Sequence, residues 1–90
     1  MESSLGKGHV EVAEISNSLG LIFKKRAQYD QAEQHYRRAL DIIQATFGEK
    51  HYKYGIFLNN LADVYRKRAN FTEALSMYNK ARVAIEATLG

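Results

Sequence analysis

The sequence predicts an all-α fold of four helices, arranged as two antiparallel helix pairs in tandem. Three observations predict it: the chain repeats itself at a spacing of 42 residues, its apolar residues step by three and four, and it contains no proline. Shifted by 42, Gly6 to Phe47 aligns with Gly48 to Leu89, and 13 of the 42 positions are identical. They include Asn17/Asn59, Leu19/Leu61, Lys25/Lys67, Arg26/Arg68, Ala32/Ala74 and Tyr36/Tyr78. A period of that length is the mark of one supersecondary unit written twice. The expected units are one near 6–47 and a second near 48–89, together forming one domain over 1–90.

The first helix is expected near 9–26, where Ile15, Leu19, Ile22 and Phe23 form an apolar stripe at helical spacing. The glycines of "SLGKGHV" before it read as a link into the helix. They do not form a phosphate-cradling loop, since no strand precedes them and no G-x4-G-K-[ST] follows. The second helix is expected near 30–46, carrying Ala32, Tyr36, Ala39, Leu40 and Ile43. "FGEKH" then separates the units. The third helix, near 51–68, repeats the first stripe as Phe57, Leu61, Val64 and Tyr65. The fourth, near 72–88, repeats the second as Ala74, Tyr78, Ala81 and Ile85. "RAQYD" and "RANFT" are the turns inside the pairs, with Asn70 and Glu73, or Thr72, as expected caps of the fourth helix. Small residues at Gly20/Ala62, Ala32/Ala74 and Ala39/Ala81 let paired helices approach closely, and Phe23/Tyr65 and Tyr36/Tyr78 fill the space beside them. The hydroxyls of Tyr36 and Tyr78 then need a partner or solvent.

Composition narrows the function classes. A 46% hydrophobic share with 26% charged residues reads as soluble and globular, and no apolar run is long enough to span a membrane. The N-terminus lacks the basic start and apolar stretch of a secretory signal. No cysteine is present, which leaves no disulfide framework, thiolate nucleophile or Cys-based zinc site and is compatible with a reducing compartment. A net charge of +3 is mildly basic, short of the dense basic face a nucleic-acid binder usually shows, so nucleic-acid binding is only a weakly supported third reading. Catalytic, cofactor and metal residues are not expected. His9 and His51 are repeat equivalents in the turns that open each unit, suited to packing or capping, and His35 reads as a surface residue. Glu11 and Glu14 read as first-turn charges favoured by the helix dipole.

Each pair resembles the tetratricopeptide repeat, whose pattern runs W-x2-L-G-x2-Y, then Ala, Phe, Ala and Pro. Leu19, Gly20, Phe23, Ala32, Tyr36 and Ala39 match it in the first pair, and Leu61, Ala62, Tyr65, Ala74, Tyr78 and Ala81 in the second. Ser16 and Leu58 hold the Trp position, and Gln44 and Glu86 the Pro position. The period of 42, with "LNNLADVYRKRANFTEAL", is similar to the kinesin-light-chain subtype. The resemblance implies a right-handed α-solenoid segment, no enzymatic activity, a cytoplasmic location and an adaptor or scaffold role, with short, partly acidic peptides bound in a concave groove lined by the first helix of each pair. The groove positions fall on Glu14, Asn17, Ser18, Leu21, Lys24 and Lys25, then on Ile56, Asn59, Asn60, Asp63, Arg66 and Lys67. Asn17 and Asn59 can donate to and accept from a peptide backbone, and the basic residues can meet carboxylates. Arg26 and Arg68, at the helix ends, are assigned to capping.

A second class of function is self-assembly. The fourth helix carries Leu75, Met77, Tyr78, Val83, Ile85 and Leu89, more apolar surface than one partner helix covers. The chain stops at Gly90, where the family continues into a third pair or a capping helix. Stacking through open ends or exchange of helices would cover that surface. A homo-oligomer is expected, with a dimer first.

Overall fold

The computed structural model describes the backbone of residues 2–89 and the side chains of residues 10–87. Its helices are α1 (Glu2–Lys25), α2 (Tyr29–Phe47), α3 (Tyr52–Lys67) and α4 (Phe71–Leu89). α1 packs on α2 and α3 on α4, and α2 joins the two pairs by packing on α3. The result is two tandem helix-turn-helix units, a short α-solenoid segment measuring 42 × 30 × 15 Å along its principal axes. Three helix starts lie within one residue of the sequence expectation. α1 instead begins at Glu2, so the expected glycine link is helical backbone. Glycine inside a helix costs about 1 kcal/mol relative to alanine, a penalty that a long helix tolerates.

The two turns within the pairs have the same construction. α1 ends as the Gln28 amide donates to the Phe23 carbonyl (2.9 Å) and the Ala27 amide to the Lys24 carbonyl (3.0 Å). α3 ends identically, Asn70 to Tyr65 (2.9 Å) and Ala69 to Arg66 (2.9 Å). These are Schellman motifs, which place one residue in the left-handed region. Here it is an alanine both times, at φ 61° in Ala27 and 64° in Ala69. The turn between the units uses Gly48, at φ 87° and ψ 176°, a combination open essentially to glycine alone. His51 caps α3 by accepting from the Lys53 amide (3.1 Å), and its ring stacks between Phe47 and Tyr52. That matches the capping role expected of it; the side chain of its equivalent, His9, lies outside the described residues.

The core runs through both pairs. Tyr36, Ile43, Leu61 and Val64 are its largest fully buried side chains, with Ala13, Ala32, Ala39, Ala81 and Ala84 at the helix crossings. The small-residue positions act as expected. A Cβ built on Gly20 would lie 2.7 Å from the Tyr36 ring, and one on Gly55 would lie 2.6 Å from the Ala81 carbonyl oxygen. Two expectations need correction. His35 is half-buried rather than a surface residue, because its ring stacks on Phe23 at 5.3 Å with planes 2° apart. The stripe of Ile15, Leu19 and Ile22 is not core: these residues are 60%, 37% and 48% exposed. The row that faces α2 is displaced by one position, to Ala13, Ser16 and Gly20.

Candidate functional site

α1 and α3 lie side by side, and three polar contacts cross between them along one face. Lys53 Nζ pairs with Glu14 at 3.1 Å. Asn60 Nδ2 donates to Asn17 Oδ1 at 2.8 Å. Lys24 Nζ donates to Asp63 Oδ2 at 2.7 Å. Steps of three and seven residues on each helix keep all six side chains on facing sides, so the contacts rise in parallel along a seam.

Asp63 anchors one end of this seam. Its second oxygen accepts from Arg66 Nη2 at 2.5 Å and Nε at 3.1 Å, and the Tyr78 hydroxyl approaches at 3.5 Å. Partial burial raises the Asp63 carboxyl, but hydrogen bonds and charge from Lys24 and Arg66 outweigh it and hold the group below the usual carboxylate range. The same charge acts on Tyr36 beneath the seam. Burial, together with the Asp63 carboxylate, pushes that hydroxyl up to about 12, and it has no hydrogen-bond partner among the described residues.

Of the nine sequence-selected groove residues, Asn17, Lys24, Asn60 and Asp63 form the seam and Arg66 joins it at Asp63, while Leu21, Lys25, Asn59 and Lys67 lie on the same two helices. Asn17 pairs with Asn60 rather than with its repeat equivalent Asn59, which is half-buried and makes no side-chain hydrogen bond among the described residues. Lys24 and Arg66 are committed to Asp63. Lys25 and Lys67 are exposed and have no carboxylate partner among the described residues. Leu21 (41% exposed) and Ile56 (43%) put apolar surface beside the polar row.

A second polar cluster, not anticipated from the sequence, spans the junction of the pairs. Glu33 on α2 accepts from the Tyr65 hydroxyl at 2.7 Å, from Arg68 Nη1 at 2.7 Å and from Arg37 Nε at 2.9 Å. Arg37 also donates to the Tyr65 oxygen, and Arg68 to Asp30. Arg68 thus stands at the C-cap of α3, as expected, while its side chain ties α3 to α2 instead of capping a carbonyl. The signal available in sequence was the mismatch between units: Glu33 and Tyr65 have Leu75 and Phe23 as equivalents.

An open groove of about 790 Å³ lies elsewhere, lined by Val12, Gln34, Arg37, Arg38, Asp41 and Ile42, and shares no residue with the seam. Among the described residues no group of three or more His, Asp or Glu is placed to hold a metal ion. No helix among them is long and apolar enough to cross a membrane.

Comparison with known proteins decides the family. A model of the tetratricopeptide repeat matches residues 11–84, most of the chain, with the whole of α2 and α3 and part of α1 and α4. The chain belongs to the tetratricopeptide repeat family. No curated protein matches it significantly. Tetratricopeptide repeats generally mediate protein–protein contacts and are typically non-catalytic. The family match places this tetratricopeptide chain among repeats of that protein-interaction class.

Proposed function

We propose that the chain is a protein-interaction module that holds an extended, partly acidic peptide along the α1–α3 face. The Asn17–Asn60 pair carries this reading. Their one hydrogen bond leaves the amide nitrogen of Asn17 and the amide oxygen of Asn60 without a partner among the described residues. An extended peptide presents N–H and C=O groups in alternation, the complement of such a pair. Asn59 supplies a further amide beside it. Leu21 and Ile56 would meet apolar side chains of the peptide, and the unpaired Lys25 and Lys67 its carboxylates. The 42-residue period supports the kinesin-light-chain-like subtype and, with it, a cytoplasmic adaptor or scaffold role. Fluorescence anisotropy with a panel of acidic peptides tests the proposal. Asn59→Ala should weaken binding by about 1–2 kcal/mol through lost backbone hydrogen bonds. Lys25→Glu with Lys67→Glu should weaken it further and flatten its salt dependence. Equal affinity in wild type and variants would remove the groove assignment.

A second reading, self-association with a dimer as its smallest form, is favoured by one observation. Val12, Ile15, Leu19 and Ile22 form an apolar row on α1 that stays 37–60% exposed. Light scattering over a dilution series tests it, and a monomer at every concentration would end it.

A further inference from the structure

The two helix pairs expose the same positions to different surroundings. On α3, Tyr54, Phe57, Leu61 and Val64 are buried, none above 6% exposure. Their equivalents 42 residues earlier are Val12, Ile15, Leu19 and Ile22, at 38%, 60%, 37% and 48%. Each row belongs to a helix that also packs on its own partner. The additional cover on α3 is α2, the helix that joins the pairs. The equivalent of α2 is α4, and its outer face is open too: Phe71 is 63% and Leu75 62% exposed.

The polar groups at the junction change together between the two settings. Where α2 meets α3, Tyr65 donates to Glu33, and on the α1 side of the same pair Asp63 of α3 binds Lys24. At the open faces Phe23 stands for Tyr65, Leu75 for Glu33 and Leu21 for Asp63. For the Tyr65–Glu33 pair donor and acceptor both become apolar; for the other, Leu21 replaces the acceptor, while the donor side keeps a cation, Arg66, already paired with Asp63. On α4 the result is a hollow of about 270 Å³ framed by Arg66, Phe71, Ala74, Leu75 and Tyr78. Its counterpart in the first pair, at Lys24, Tyr29, Ala32, Glu33 and Tyr36, is where Asp63 and Tyr65 dock. Leu21 and Phe23 are the residues that would fill the hollow on α4.

We propose that the outer face of α1 docks on the outer face of α4 of a second copy, repeating the α3-on-α2 junction in apolar form. This rests on the self-association reading above and adds which surfaces meet and in what order. The two faces differ, so the contact is head-to-tail and continues beyond two copies unless the rotation closes a ring. Arg26, the equivalent of Arg68, gains no carboxylate there, because Thr72 and Leu75 stand for Asp30 and Glu33. Apolar burial holds the contact, and high salt does not dissolve it.

Sedimentation velocity tests this with two variants, Ile22→Glu on the α1 face and Leu75→Lys on the α4 face. Both side chains are exposed, so the helical circular dichroism should match wild type. Wild type should gain mass steadily with concentration, in low salt and in about 1 M salt alike. Each variant alone should stay monomeric, and a 1:1 mixture should double in mass through the one intact face of each. A wild type that stays monomeric would overturn both the self-association reading and this docking. A variant that dimerises alone, with no gain on mixing, would show a face pairing with itself; that overturns the head-to-tail contact and leaves self-association standing.

Discussion

The Tyr65 hydroxyl donates to Glu33 Oε2 at 2.7 Å, joining α3 to α2 across the junction of the two helix pairs. Burial raises the Glu33 carboxyl, but hydrogen bonds from Tyr65, Arg37 and Arg68 hold it below the ordinary carboxylate range. A folded-state value below the unfolded one means that the stabilisation is complete above the unfolded carboxylate range. It is lost as pH falls through the folded value. Glu33→Gln should therefore cost about 1 kcal/mol at pH 7. Urea midpoints of variant and wild type should converge below about pH 4, the normal carboxylate range. A gap that stays constant with pH would assign the cost to shape rather than charge.

Tyr36 is 1% exposed, and its hydroxyl is buried with no partner among the described residues. Leaving a polar group unpaired in a core costs about 1–3 kcal/mol. Tyr36→Phe should therefore leave stability unchanged or raise it by about 1 kcal/mol. Because the folded-state value is raised to about 12, wild-type stability does not depend on this group up to the unfolded tyrosine range, near pH 10. Above that it falls as pH rises toward 12, so the difference in favour of Tyr36→Phe widens. Thermal melts of both proteins at pH 7 and pH 11 check both parts, and a large loss at pH 7 would mean the hydroxyl is satisfied.

Each helix pair has one glycine at its closest approach, at a different level. In the first pair it is Gly20 against the Tyr36 ring, and in the second Gly55 against the Ala81 carbonyl and Ile85. The equivalent positions hold Ala62 and Ala13, both buried. An added methyl at either glycine forces helices apart, so Gly20→Ala and Gly55→Ala should each destabilise by about 1–3 kcal/mol. Chemical denaturation measures this, and a neutral Gly55→Ala would show that the α3–α4 crossing can slide.

Ala27 and Ala69 hold left-handed conformations that cost an L-residue about 1–2 kcal/mol, partly offset by the lower chain entropy of alanine when unfolded. Ala27→Gly and Ala69→Gly should each stabilise the chain by about 0.5–1 kcal/mol. The two turns are neighbours in the fold, since Arg68 beside Ala69 binds Asp30 and lines one pocket with Ala27, so the double variant measures the coupling between them. A destabilised double variant would contradict the Schellman geometry.

Much of the site was readable because helical spacing assigns residues to faces. Glu14, Asn17 and Lys24 share a side of α1 from sequence alone, as Asn60 and Asp63 do on α3. What each would touch was not readable. Repeat symmetry gave Asn17 and Asn59 the same role toward a peptide, whereas the structure bonds Asn17 to Asn60, because the stagger between two helices depends on how they pack. The same limit hid the partner of Arg68, which lies 35 residues away on α2. It also hid the stacking of His35 on Phe23, which depends on the α1–α2 crossing.

The sequence by itself determined the four helices, their pairing and the position of the turns. These follow from local properties: a 3.6-residue apolar period, small residues at fixed offsets and a unit repeated at 42 positions. Tertiary structure alone decided which apolar stripes are core. Ile15 and Phe57 are repeat equivalents that sequence treats alike, yet one is 60% exposed and the other 6%. The difference is not in the residues but in α2, which packs on α3, whereas no described helix occupies the corresponding place on α1. Burial is a property of what lies opposite a side chain, and a periodic pattern records only which way the side chain faces.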